Sequence, residues 1–281
     1  MASAIVGRAL EVEVSEAREA LERLARTRVD EEAVHDLRVA VRRMRSLLRA
    51  SRGLYRRKTT ERLERALRAV GQATSRLRDE EVLPETLEAT KLTPTVRPRI
   101  DAWLVARRPR LIALCREGLV TLREASIDET LDGVLELVAA PRRDVEAIAF
   151  GRDRMLVERS ELVALALRVK PDDIEELHQL RIHFKRLRYV ADMLGGERHE
   201  GPRLPDAAAH TEIAAHAATF QKELGLVHDI DVARGVMLAA AELHHATRAS
   251  VNRALQRRRL VIASACLDRL RLEMGQLVMA R

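Results

Sequence analysis

At 281 residues and 47% hydrophobic side chains, the chain is long enough to bury a sizeable core and too apolar for intrinsic disorder. Its 50 basic residues outnumber 43 acidic ones, a net +7 that points to anionic partners, while a 2% aromatic content argues against a stacking platform for single-stranded nucleic acid. No apolar run reaches the length of a membrane span and no basic-then-apolar leader opens the chain, so a cytoplasmic, reducing compartment is expected, with Cys115 and Cys266 as buried free thiols.

Ala, Leu, Arg and Glu dominate and no segment alternates with period two, so the expected class is all-α, with about eight long helices in one domain. The first helix is expected over residues 4–27, with Leu10, Val14, Ala17, Leu21 and Leu24 as its core stripe. Asp30 reads as the N-cap of a second helix, with Glu31 and Glu32 in its first turn and Gly53 near its end. Thr59 or Thr60 would cap a third, running past Gly71 to a breaker at Pro84. Another is expected over 95–125, with Pro98 in its first turn and a kink at Pro109, then a short one from Asp128 to just before Pro141. Pro141 divides the chain into repeat halves 1–141 and 142–281. The second half opens with a helix over 142–170, and Pro171 and Asp172-Asp173 launch the next, which Gly195-Gly196 stops. Residues 197–205 read as a loop, Asp206 starts a further helix, breaks are expected near His228 and around Thr247, and a final helix runs to about Val278.

The second helix of each half carries the same pattern. His35-Asp36-Leu37-Arg38-Val39-Ala40-Val41-Arg42-Arg43-Met44-Arg45 returns 143 residues later as His178-Gln179-Leu180-Arg181-Ile182-His183-Phe184-Lys185-Arg186-Leu187-Arg188, with every basic position kept basic. On a helix, His35, Arg38, Arg42, Arg45 and Arg49 fall within a stripe of about 80°, beside an apolar stripe of Val34, Leu37, Val41, Met44 and Leu48. His178, Arg181, Lys185 and Arg188 lie likewise beside Leu177, Leu180, Phe184, Leu187 and Leu194. Arg43 and Arg186 point elsewhere and are expected in solvent or in ion pairs.

Residues 35–58 hold nine basic side chains and one acid, Asp36, so the cation excess is local. Like charges at i,i+3 and i,i+4 destabilise a helix by a few tenths of a kcal/mol per pair, and a segment that carries many of them calls for an anionic partner. Only five of the 50 cations are lysines, at 58, 91, 170, 185 and 222, leaving 45 arginines, whose planar forks hold phosphate oxygens bidentately.

These motifs resemble the CHAD domain family, named for conserved histidines in an α-helical domain. HDLRVAVRRMR and HQLRIHFKRLR match its helix in each half, and Arg78-Asp79-Glu80-Glu81-Val82 and His228-Asp229-Ile230-Asp231-Val232, 150 residues apart, look like its Arg/His-Asp turns. Val70-Gly71 departs from the family's Leu-Gly and is followed by a longer run. The resemblance implies two four-helix bundles related by a pseudo-twofold internal repeat, facing a central basic groove or pore that binds inorganic polyphosphate. It further implies a ligand set of His35, Arg38, Arg42 and Arg45 with His178, Arg181, Lys185 and Arg188, and placement at cytoplasmic polyphosphate granules. A stand-alone domain is expected, because Glu11-Val12-Glu13-Val14 lacks the last charge of the signature of the CYTH domains to which members of this family are fused.

The residues themselves are compatible with that ligand. A linear anion suits two helices that present similar cations along one path, and no base needs to be read. The recurrence of histidine at the head of both stripes favours ligand contact over a structural role. A catalytic or metal reading is set aside: Gln179 replaces Asp36 in the second copy, the cations would repel divalent ions, and Asp79, Glu81, Asp229 and Asp231 are expected as turn, capping or salt-bridge groups. His210, His216, His244 and His245 form no pattern. No enzyme activity, cofactor or metal is therefore expected. The alternatives are a polyphosphate hydrolase or regulator of polyphosphate enzymes, and a binder of nucleic acid or anionic membrane.

Overall fold

In a computed structural model, which describes residues 1–26, 30–124, 126–196 and 204–279, the chain is all-helical. Ten helices and no strand occur among the described residues: α1 Ala2–Arg26, α2 Glu31–Ala50, α3 Arg57–Ala73, α4 Ser75–Glu88, α5 Arg97–Glu124, α6 Ile127–Ala139, α7 Ala147–Ala166, α8 Ile174–Gly195, α9 Ala207–Ala239 and α10 His245–Met279.

Both motif helices begin where capping chemistry places them. Asp30 accepts a hydrogen bond from the Ala33 amide at 2.8 Å, and Asp173 accepts one from the Glu176 amide at 2.8 Å. Gly53 and Gly196, just past the two helices, have φ of 98° and 68°, a left-handed backbone open to glycine at little cost.

Several expected boundaries move. Helix α3 starts at Arg57, and Thr60 is no cap: it lies in the first turn, where its hydroxyl donates back to the Arg56 carbonyl. The break falls at Thr74, and Pro84 sits inside α4. An interior proline costs about 3 kcal/mol, which the burial of Leu83 and Leu87, at roughly 1.5–3 kcal/mol each, can offset. Residues 78–82 and 228–232, expected as turns, are helical, and α9 runs unbroken past His228 for 33 residues. The break expected near Thr247 lies just before α10. Helix α7 starts later than residue 142 because Leu54 and Ser3 hold the preceding strap: the Leu54 carbonyl accepts from the Arg142 and Arg143 amides, and Asp144 accepts from the Ser3 amide. Pro109 lies inside α5, as the helix expected over 95–125 has it. The expected end of α1 at Thr27 and most of the 197–205 loop fall outside the described residues.

Two compact units form, and each draws on both halves of the sequence. The first comprises Met1–Ser75, Cys115–Ser160 and Lys185–Ala217; the second comprises Arg76–Leu114, Glu161–Phe184 and Ala218–Arg281. In the first, α1 packs on α2, α2 on α3, α3 on α6 and α6 on α1, closing a ring of four helices. Gly7 and Gly133 permit the close approach of α6, since a Cβ at either would stand 2.9 Å from Val138 or 3.1 Å from Leu63. In the second, Leu83 and Leu87 of α4, Ile100 and Trp103 of α5, Ile230 and Met237 of α9, and Val251 and Leu255 of α10 share one core. Cys266 is a buried free thiol. No helix of the described residues is long and apolar enough to cross a membrane.

Candidate functional site

Burial on α2 follows the two stripes. Val34, Leu37, Val41, Met44 and Leu48 are each at most 1% exposed, whereas Arg38, Arg42, Arg45 and Arg49 are half-buried and His35 is exposed. The cations thus stand at the rim of the core, with their stems packed and their heads reachable.

The protein's own carboxylates sort these cations. Arg43, off the stripe, lies 3.4 Å from Glu16 and 3.6 Å from Glu13 of α1, and Asp36, the lone acid of the segment, lies 2.7 Å from Arg23. Among the described residues, Arg42, Arg45 and Arg49 make no ion pair. Burial, together with the neighbouring Arg68 and Arg49 charges, pushes the Arg45 guanidinium below its ordinary value, with Glu64 opposing. Arg38 is anchored instead, donating to Thr74 Oγ1 at 2.6 Å and more distantly to the Gly71 carbonyl at 3.5 Å, at the C-terminus of α3 where the helix dipole favours a cation. The Arg45 guanidinium lies over the same glycine, 3.8 Å from where a Cβ of residue 71 would stand.

On α8, Leu177, Leu180, Phe184, Leu187 and Leu194 are buried and His178, Arg181, Lys185 and Arg188 are half-buried. The unit boundary crosses this helix after Phe184, so His178 and Arg181 belong to the second unit and Lys185 and Arg188 to the first. Within the second unit, α8 and α9 meet as an antiparallel zipper. Phe184 stacks on Phe220 with ring centroids 5.0 Å apart; a Cβ on Gly225 would stand 3.9 Å from Arg181 Nε; and the His178 and His228 rings lie 5.0 Å apart at 38°. Glycine therefore backs a motif arginine in each half, Gly71 on α3 and Gly225 on α9. Arg188 departs from its counterpart Arg45, since Asp192 one turn on lies 3.5 Å from it.

Pattern reading from the sequence did not assign Arg68, Thr74, Arg78 or Gly225 to the site. The unusual glycines inside helical patterns were the available signal for Gly71 and Gly225; nothing local marked Arg68 or Thr74. Of the four acids expected as turn, capping or salt-bridge groups, Glu81 lies 3.9 Å from Arg78, and Asp231 lies 2.7 Å from Arg259 and 3.5 Å from Arg234. None sits in a turn. Asp229 makes no ion pair among the described residues, and burial raises its carboxyl above the usual range, with Arg78 and Arg181 opposing and Glu85 adding to the rise. Two of the remaining histidines have local roles: His244 Nδ1 accepts from the Ala246 amide at the start of α10, and His210 is buried, which with nearby Arg159 lowers its imidazole pKa against the pull of Asp206.

The family model of the CHAD domain matches residues 8–238. The chain belongs to the CHAD domain family. Its fold is similar to the crystal structure of the CHAD domain from the plant Ricinus communis, at 21% identity over 98% of this chain and 92% of that one, with a TM-score of 0.67. It is similar also to PptA from Streptomyces chartreusis, at 16% identity over 98% of each chain, with a TM-score of 0.69. No match arises among curated proteins. The two motif helices of this CHAD domain are α2 and α8, and the His-Asp segment of its second half lies on α9 against α8.

Proposed function

We propose that this CHAD domain binds inorganic polyphosphate without cleaving it, through the cation stripes of α2 and α8, and that this binding places it at polyphosphate granules in the cytoplasm. The observation that carries the reading is the run Arg42, Arg45 and Arg49, with Arg68 beside it, which has no ion pair among the described residues while Arg45 is partly desolvated. Such a cluster is electrostatically unfavourable until an anion arrives, and guanidinium forks suit phosphate oxygens. Membership of a family linked to polyphosphate binding supports the same ligand. The predominance of arginine in the donor set supports binding without cleavage, because guanidinium groups hold phosphate oxygens but neither take nor give a proton at neutral pH. The finer architecture belongs to the same proposal: two four-helix bundles related by the internal repeat.

Calorimetric titration with size-fractionated polyphosphate tests the reading, comparing the native chain with Arg42→Ala/Arg45→Ala and Arg181→Ala/Lys185→Ala. Each double variant is expected to bind at least about tenfold more weakly, since a hydrogen bond to a charged group contributes about 1.5–3 kcal/mol. Unchanged affinity in both removes the stripes from the site. Release of orthophosphate on adding magnesium supports the hydrolase instead, and displacement of polyphosphate by duplex DNA at equal phosphate concentration supports a general nucleic-acid binder.

A further inference from the structure

A single residue, Thr74, separates α3 from α4. The spacing of 150 residues between the two Arg/His-Asp segments carries Arg57 to Ala207 and Glu88 to Leu238, so α9 spans the corresponding stretch of the second half, and it does so without a break. Leu224 stands in α9 where Thr74 stands in the first half, buried like the threonine but with no polar atom on its side chain. The first half thus has a hydroxyl where the second is aliphatic, and a motif arginine reaches it. Arg38 Nη1 donates to Thr74 Oγ1 at 2.6 Å and lies 3.5 Å from the Gly71 carbonyl in the last turn of α3. Side chains that reach into a helix ladder are a known cause of such breaks. Thr74 is itself held from other sides. It is 1% exposed, its hydroxyl lies 3.4 Å from the Val70 carbonyl, to which it can donate while accepting from Arg38, and its methyl lies 3.7 Å from where a Cβ on Gly118 of α5 would stand. Arg38, Val70, Thr74 and Gly118 all belong to the first unit.

We infer that Thr74 is a positioning residue for the first motif helix: its buried hydroxyl holds the Arg38 guanidinium in one orientation, so that this cation meets the polyanion already ordered. The inference rests on the polyphosphate reading for the identity of the ligand but not for the bond on which it is built. A guanidinium carries five donors in one rigid plane, and the contact of Nη1 with a fixed acceptor sets the direction of the whole plane. Ordering a long side chain during binding costs affinity, and a side chain ordered beforehand does not incur that cost again. Leu224 gives the second half no such anchor at the matching position.

The test is a double-mutant cycle of Thr74→Val, which keeps shape and removes the acceptor, with Arg38→Ala; Thr74→Ser, which keeps the hydroxyl, is the conservative variant. Affinity for size-fractionated polyphosphate is measured at constant ionic strength. Thr74→Val is expected to bind about two- to tenfold more weakly, the affinity equivalent of ordering one long side chain. Thr74→Ser should bind like the native protein, and Thr74→Val should change nothing further once Arg38 is alanine. Native-like or tighter binding by Thr74→Val overturns the inference. So does an equal loss in the Arg38→Ala background, which marks a general effect on structure, or a Thr74→Ser variant as weak as Thr74→Val. Parallel titrations with heparin, a polyanion without phosphate, separate the two readings. The same cycle on heparin with no binding of polyphosphate by any form overturns the choice of ligand and keeps the role of Thr74; native protein that binds neither probe overturns both. Thermal unfolding of each variant confirms that folded proteins are compared, and Thr74→Ala replaces Thr74→Val in the cycle, with the same expected outcomes, if the valine variant does not fold.

Discussion

His178 and His228, fifty residues apart in the chain, stand with ring centroids 5.0 Å apart on facing helices, so the heads of the second motif helix and of the second His-Asp segment form a single element. Two imidazolium charges at that distance would repel each other, and a polyanion beside them would relieve the repulsion.

Polyphosphate affinity is therefore expected to rise as pH falls from about 8 to about 6, the range in which an ordinary imidazole with pKa near 6.5 titrates. His178→Gln/His228→Gln should flatten that rise while binding normally at the alkaline end. A titration at constant salt checks this, and an undiminished rise in the double variant would remove the histidine pair from the pH response.

The α2 cluster predicts opposite effects on binding and on stability. Arg45→Met should weaken polyphosphate binding about tenfold, the worth of one charged hydrogen bond. It should leave the unfolding midpoint at low salt unchanged or slightly higher, because it removes a half-buried cation set against Arg49 and Arg68. A marked loss of stability would show that Arg45 is held by a partner after all. Affinity should also fall steeply and linearly on a log–log scale with added salt, by analogy with polynucleotide binding.

Arg259 carries structure. It is fully buried, with Nε 2.7 Å from Asp231 and Nη1 donating to the Pro171 carbonyl at 2.7 Å, so it ties α10 to α9 and to the segment that launches α8. Arg259→Met leaves the buried end of Asp231 and a loop carbonyl without this donor, and should cost about 3–5 kcal/mol, read from denaturant unfolding. A loss under about 1 kcal/mol would mean that Arg234 alone satisfies Asp231.

Asp229 gives a stability signature of its own. Its folded carboxyl titrates above the ordinary value, so protonation stabilises the folded state: that contribution is complete below the unfolded pKa and disappears as pH rises through the folded one. Asp229→Asn should accordingly unfold at a higher temperature than the native protein at neutral pH, with the difference closing in acid. A native protein that is the more stable of the two at neutral pH would contradict the raised carboxyl.

The helical class, the position of both motif helices and the division of α2 into apolar and cationic sides were legible in the sequence. Each is a local property: Asp30 and Asp173 cap within three residues, and a period of 3.6 assigns Leu37 and Arg38 to neighbouring sides whatever else the chain does. The breaks were less legible. Pro84 and the charged runs at 78–82 and 228–232 carry turn chemistry, yet burial of Leu83, Leu87 and Ile230 in a core assembled from distant segments keeps them helical. Only the tertiary structure decided which cations meet a carboxylate. Arg43 finds Glu13 and Glu16 on α1, Arg42 and Arg49 find none among the described residues, and Asp229 lies among cations from α4 and α8. Charge neutralisation falls off within a few ångströms, and the groups that come that close are chosen by helix packing across long stretches of chain.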